Sequence, residues 1–199
     1  MIKFIYLFII LTSNFSASFS QVWSQQQLDS ANKAKDQTQL INVEKEAIMY
    51  INLARLYPKL FATIEVENYF GTNKYIDYVK NSKFRKSLIE DLKKREPVQR
   101  LYFDSIMFSF AKCFSMESGE NGTVGHARIN CTRPKGNFAE CCSYGMETGK
   151  DIILQLLIDD DVLEVGHRIT CLNKKYSKIG LSVSTHRIWN ICAIADFSF

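Results

Sequence analysis

IGLSVSTHRIWNICAIADF, Ile179–Phe197, decides the class of the fold. Ile179, Leu181 and Val183 alternate with small or polar residues, the two-residue period of a strand with one buried face. Ile188 to Phe197 is rich in β-branched and aromatic side chains, and Ser184–Arg187 lies between the two runs, so the stretch reads as a hairpin. Upstream, the period lengthens to that of helices. Asn42 is placed to cap a helix carrying Glu44 and Glu46 in its first turn, with Ala47, Ile48, Ile51, Ala54 and Arg55 at helical spacing and Pro58 as its stop. Asp104–Ser115 repeats the pattern with Ile106, Met107, Phe110, Ala111 and Phe114. Gly145–Ile158 does so with Met146, Ile152, Ile153, Leu156 and Leu157, ending abruptly at Asp159-Asp160-Asp161. Residues 62–72 read as connection. Helices first and strands last predict an α+β domain rather than a βαβ alternation.

Composition bounds the rest. The chain has 199 residues, 46% of them apolar and 13% aromatic, too much core material for a disordered chain. Nine glycines and three prolines exclude a collagen-like repeat. The length suits one domain. Phe4 to Leu11 is an unbroken apolar run behind Lys3, well short of a membrane span, and Ser18-x-Ser20 follows as a small-x-small cleavage site. Residues 1–20 therefore read as a secretory signal, which leaves no spanning segment after cleavage. Residues 21–42 read as a polar N-terminal segment and 43–199 as the domain. Loss of Lys3 lowers the formal charge of +4 by one, and a balance that small gives no reason to expect a nucleic-acid partner. Residues 74–100 hold nine basic and four acidic residues, but interleaved Phe84, Leu88, Ile89 and Leu92 make this an amphipathic helix with a solvated face.

Export, secreted or periplasmic, changes how the cysteines read. Cys113, Cys131, Cys141, Cys142, Cys171 and Cys192 form an even set in an exported chain, which favours disulfides over free thiols. Six cysteines allow fifteen pairings. Cys141 and Cys142 are expected to reach different partners, since adjacent cysteines rarely attain disulfide geometry.

Chemistry-bearing residues are few. Of three histidines, His126 and His167 each follow a glycine; His186, in the hairpin connection, is expected at the surface with no role. Glu140 stands out because it sits between Phe138-Ala139 and Cys141-Cys142, and a partly buried carboxylate needs a partner. Two imidazoles and two carboxylates facing one cleft form a plausible divalent-metal or polar-ligand site. No zinc-protease, nucleophile-elbow, phosphate-loop or EF-hand pattern is present.

Four stretches in order carry a resemblance. EKEAIMYINLARLYPKLFA (Glu44–Ala62) resembles the first helix of the CAP superfamily, the cysteine-rich secretory, antigen 5 and pathogenesis-related proteins. Gly125-His126-Ala127-Arg128 resembles its histidine loop, and Phe138–Gly145 its G-E-N-[IL]-x-x-G motif with Cys141 where Asn is usual. Leu157–Asp161 followed by Gly166-His167-Arg168 resembles its acidic helix end and second histidine. Tyr176–Gly180 and Cys192–Phe197 are similar to the closing hairpin, and the closest likeness is to short bacterial SCP-like proteins. The insertion from about Tyr75 to Pro97 is longer than in the minimal family members. The resemblance implies a three-layer α-β-α sandwich with a small antiparallel sheet and a central cleft. It implies a ligand-binding set of His126, Glu140, Asp159 and His167, with His126 and His167 holding a divalent metal such as zinc. Asp159 is the first choice for the second acid and Asp160 the alternative. The function implied is a non-enzymatic secreted domain that meets an extracellular ligand or protein. The rival readings are a metal-assisted hydrolase, in which Glu140 activates water, and the lipid or sterol binding that some members show.

Overall fold

The computed structural model describes residues 22–72, 79–160 and 162–199. The expected signal lies outside the described residues, as do residues 73–78 and Asp161. Helix α2, Asn42–Leu56, forms the centre of the larger core and buries Ala47, Ile48, Ile51 and Ala54. It starts one residue earlier than expected, with Ile41 as its N-cap. Glu44 accepts the Ile41 amide at 2.9 Å and also the Val183 amide at 2.9 Å, which ties the helix start to the sheet. Two polar residues on the buried face are fully satisfied. Asn52 bridges Ala31 and Leu101, and Arg55 donates to the carbonyls of Gln99, Cys171, Asn173 and Tyr176. Burial lowers the Arg55 guanidinium to about 10.

Residues 22–41 are docked on the domain despite their polar composition. Ser24 caps helix α1 (Gln25–Ala31), and Ala31, Ala34 and Leu40 are buried. Trp23 packs on Tyr57 and Phe61 and donates to the buried Glu65 at 2.6 Å. Small apolar residues suffice here because the backbone lies close to α2. At Pro58 the chain starts a short helix, α3 (Pro58–Phe61), and residues 62–66 of the expected connection form a π-helical turn (Ala62–Val66). The basic stretch supplies α4 (Lys83–Lys94), amphipathic as read, with Phe84, Leu88 and Leu92 buried.

The sheet has four strands in the order β1-β3-β4-β2: β1 Tyr102–Phe103, β2 Ala139–Tyr144, β3 Lys178–His186 and β4 Asn190–Ser198. The predicted hairpin is β3–β4, with its turn displaced to residues 187–189. The sheet is mixed rather than antiparallel throughout, because the two-residue β1 runs parallel to β3. Helix α5 (Ser105–Asn121), capped by Asp104, covers one face. Helices α2, α6 (Gly149–Ile158) and α7 (Gly166–Cys171) cover the other, giving an α+β sandwich of three layers. Contact between α5 and β3 is close enough to require glycine on both sides. A Cβ on Gly180 would stand 1.9 Å from the Phe108 amide, and one on Gly119 would stand 2.0 Å from the Thr185 carbonyl.

Two expectations need correction. His186 is not a surface residue: it is 3% exposed, donates from Nε2 to the Thr123 carbonyl at 3.0 Å and accepts the Ile188 and Trp189 amides on Nδ1. It braces the hairpin turn against the loop after α5. The six cysteines also do not all pair. Cys113 and Cys131 form a disulfide (S–S 2.01 Å), whereas Cys141, Cys142, Cys171 and Cys192 are buried thiols. Strand alternation explains part of this, since Cys141 and Cys142 point to opposite faces of β2.

Candidate functional site

Two histidines approach each other between the end of β2 and the start of α7, with ring centroids 6.5 Å apart. Each arrives by a different route. His126 lies in the loop after α5, which several contacts immobilise. The disulfide ties Cys131 to α5, and Glu117, 8% exposed on that helix, accepts the amides of Ile129, Asn130 and Cys131. Burial alone would raise Glu117, but the three amides and Arg128 outweigh it and hold the carboxylate below its ordinary value. The Tyr144 hydroxyl engages both the amide and the carbonyl of Gly125.

His167 is placed by Asp159, the left-handed C-cap of α6 at φ 56°. Acid at a helix C-terminus is unfavourable with the dipole. Here the side chain serves the next helix instead. Its Oδ2 accepts the His167 amide at 2.8 Å, while Oδ1 accepts from His167 Nδ1 at 2.7 Å. Arg168 completes the joint by donating to the Leu157 and Ile158 carbonyls that end α6. Asp159 is thus the acid that meets the second histidine, whereas Asp160 is engaged by the Ser82 hydroxyl at the start of α4.

Glu140 meets the first histidine. Its Oε1 lies 2.8 Å from His126 Nδ1, and its Oε2 pairs with Arg128. An ionised carboxylate can only accept, so each ring carries its proton on Nδ1 and keeps the Nε2 lone pair for a ligand. This is the arrangement in which a carboxylate orients a metal-binding imidazole. The four residues singled out from the sequence therefore form two carboxylate–histidine pairs, Glu140 with His126 and Asp159 with His167.

Three participants were not foreseen. Cys142 lies 3.5 Å from His126 Nδ1, and His126, Glu140 and Cys142 present ligand atoms all within 4.8 Å of one another, a group able to hold a metal ion. Burial, then the Glu140 carboxylate, push the Cys142 thiol well above its ordinary value, which keeps it protonated in the absence of a cation. Arg128 is sandwiched between Glu140 and the Phe114 ring, 4.2 Å from its centroid. Asp196, directly across the ladder from Glu140, is completely buried 3.6 Å from Arg128. Two carboxyl groups share this one guanidinium. Burial and the neighbouring Glu140 hold Asp196 up at about 8 despite the pull of Arg128. Asp196 was hidden in a run read only as strand, and its partner becomes visible once register is known.

Beside His167 opens a cavity of about 310 Å³. Tyr69, Val79, Met146, Leu156, Ile158 and Val162 give it apolar walls, and Cys142, Asp159 and His167 form part of its polar end. No helix among the described residues is long and apolar enough to cross a membrane.

No family model matches the chain, and no curated protein matches its sequence. Among solved structures, an outer surface protein from Borrelia burgdorferi is similar with a TM-score of 0.42 and 19% identity, over 62% of this chain and 90% of that one. A likeness of that size assigns neither fold nor function.

Proposed function

We propose that the chain is a secreted domain of the CAP type, non-enzymatic, whose cleft binds a divalent metal through His126 and His167 and presents it to a small extracellular ligand. The observation that carries this reading is the matched pair of carboxylate–imidazole contacts at 2.8 and 2.7 Å, with the two rings 6.5 Å apart and His167 lining the cavity. Both rings offer Nε2, and imidazole suits zinc, copper and nickel. Bound metal would supply a Lewis-acidic point for an anionic or carbonyl oxygen. Glu140 and Asp159 hold the rings in the ligand-competent tautomer. Arg128 pairs with the second oxygen of Glu140 and fixes its orientation, and the apolar wall selects a ligand with an uncharged body. The hydrolase reading is disfavoured because both Glu140 oxygens are engaged, which leaves that carboxylate poorly placed to take a proton from water. The Cys113–Cys131 disulfide accords with an oxidising compartment.

Elemental analysis of protein purified without chelator, then zinc titration, tests the assignment. His126→Ala and His167→Ala should each lose zinc, while Glu164→Ala, an exposed neighbour, should retain it. If Cys142→Ser abolishes binding while His167→Ala does not, the cation belongs to the His126–Glu140–Cys142 group, and the two-histidine site is wrong.

A further inference from the structure

We propose that Cys141 and Cys171 are an oxidisable pair, and that a disulfide between them braces β2 against α7 behind the two histidines. Strand alternation sends Cys141 away from the Glu140 side of the sheet, into the core shared with α2 and α6, where both sulfur-bearing residues are fully buried. The Cys141 thiol lies 3.9 Å from the His167 carbonyl. Cys171 follows His167 by one helical turn and so stands on the same face of α7. Helix α7 packs against β2, so the carbonyl that the Cys141 thiol meets lies one turn from Cys171. The other two are differently placed. Cys142 contacts Gly125 and His126 and Cys192 contacts the Ser115 carbonyl, both on the α5 side. Their strand partners are Ile194 and Tyr144, which makes them diagonal neighbours, beyond the usual Cα separation of a disulfide.

Closing the bridge removes two S–H bonds and forms one S–S bond. Two electrons and two protons pass to a disulfide oxidant, which leaves as two thiols. Both cysteines are fully buried, out of reach of an oxidant in solution, so exchange belongs to folding or to a local opening of α7 rather than to the closed native state. The consequence for the site is mechanical. Glu140 precedes Cys141, and His167 lies in the first turn of the helix that Cys171 ends, so one covalent link joins an element of each carboxylate–histidine pair.

The test is disulfide mapping of the purified chain, with glutathione disulfide raised until Cys113–Cys131 is closed. Free thiols are alkylated under denaturing conditions before reduction, and a second reagent marks those released by reduction. A Cys141–Cys171 peptide pair is expected, with Cys142 and Cys192 carrying the first reagent. The first reagent on both Cys141 and Cys171, or either one linked elsewhere, overturns the pairing. Amide hydrogen exchange of residues 166–171 should be slower in the oxidised chain than in Cys171→Ala, and equal rates overturn the bracing role. Neither readout involves metal, so the result stands apart from the metal reading on which the site's function rests.

Discussion

At the scale of single residues, the site depends on charges that water does not screen. Asp196 keeps its proton in the native chain well past the ordinary carboxylate value of 3.8 because it is buried and because Glu140, across the ladder, already uses Arg128. Between the unfolded and folded values the native state binds more protons than the unfolded one. Its stabilising contribution is therefore complete below the unfolded value and is lost as pH rises towards about 8. Asp196→Asn keeps the shape and removes this titration. Urea denaturation at pH 5 and pH 8.5 should show the variant gaining on the parent by roughly 1–3 kcal/mol at the higher pH; an unchanged difference would mean that Asp196 is ionised throughout. Glu117→Ala should release the histidine loop and cost about 1–3 kcal/mol, since three amides lose their acceptor at once. The titratable residues that face the cleft were legible from their types and neighbours: His126, His167, Glu140 and Asp159. Glu117, Asp196 and Cys142 were not, because their importance comes from partners in strand register and loop closure that no local pattern encodes.

At the scale of elements, close backbone approach decides more than hydrophobicity does. Gly180→Ala would put a methyl group 1.9 Å from the Phe108 amide, where rigid backbone cannot yield. A loss of roughly 2–4 kcal/mol is expected in denaturant titration, and a neutral result would show that α5 can shift off β3. Arg55→Met should cost about 3–5 kcal/mol, since it strands buried carbonyls of Gln99, Cys171, Asn173 and Tyr176. Helices α2, α5 and α6 and the hairpin could be read from their apolar period because each buries one stripe or face. Strand β2 could not: Ala139–Tyr144 is covered on both sides and shows no alternation. Helix α7 has only six residues, too few to display a period. The docking of residues 22–41 was not legible from their polar composition, because it rests on Trp23 together with two alanines and a leucine, Ala31, Ala34 and Leu40.

At the scale of the molecule, the sandwich brings together residues from distant parts of the chain. The loop after α5 delivers His126, β2 delivers Glu140, and the α6–α7 joint delivers Asp159 and His167. A disulfide and a buried carboxylate stiffen the first route; Arg168 and Asp159 stiffen the second. Rings held this firmly, each with a carboxylate on Nδ1, are pre-arranged for a ligand on Nε2. The most direct test is X-ray absorption at the zinc edge of the zinc-loaded protein. Two imidazole nitrogens at about 2.0–2.1 Å and no sulfur are expected, with the imidazole signal lost in His126→Ala and in His167→Ala. A sulfur shell at about 2.3 Å, or a chain that takes up no zinc, would contradict the two-histidine site.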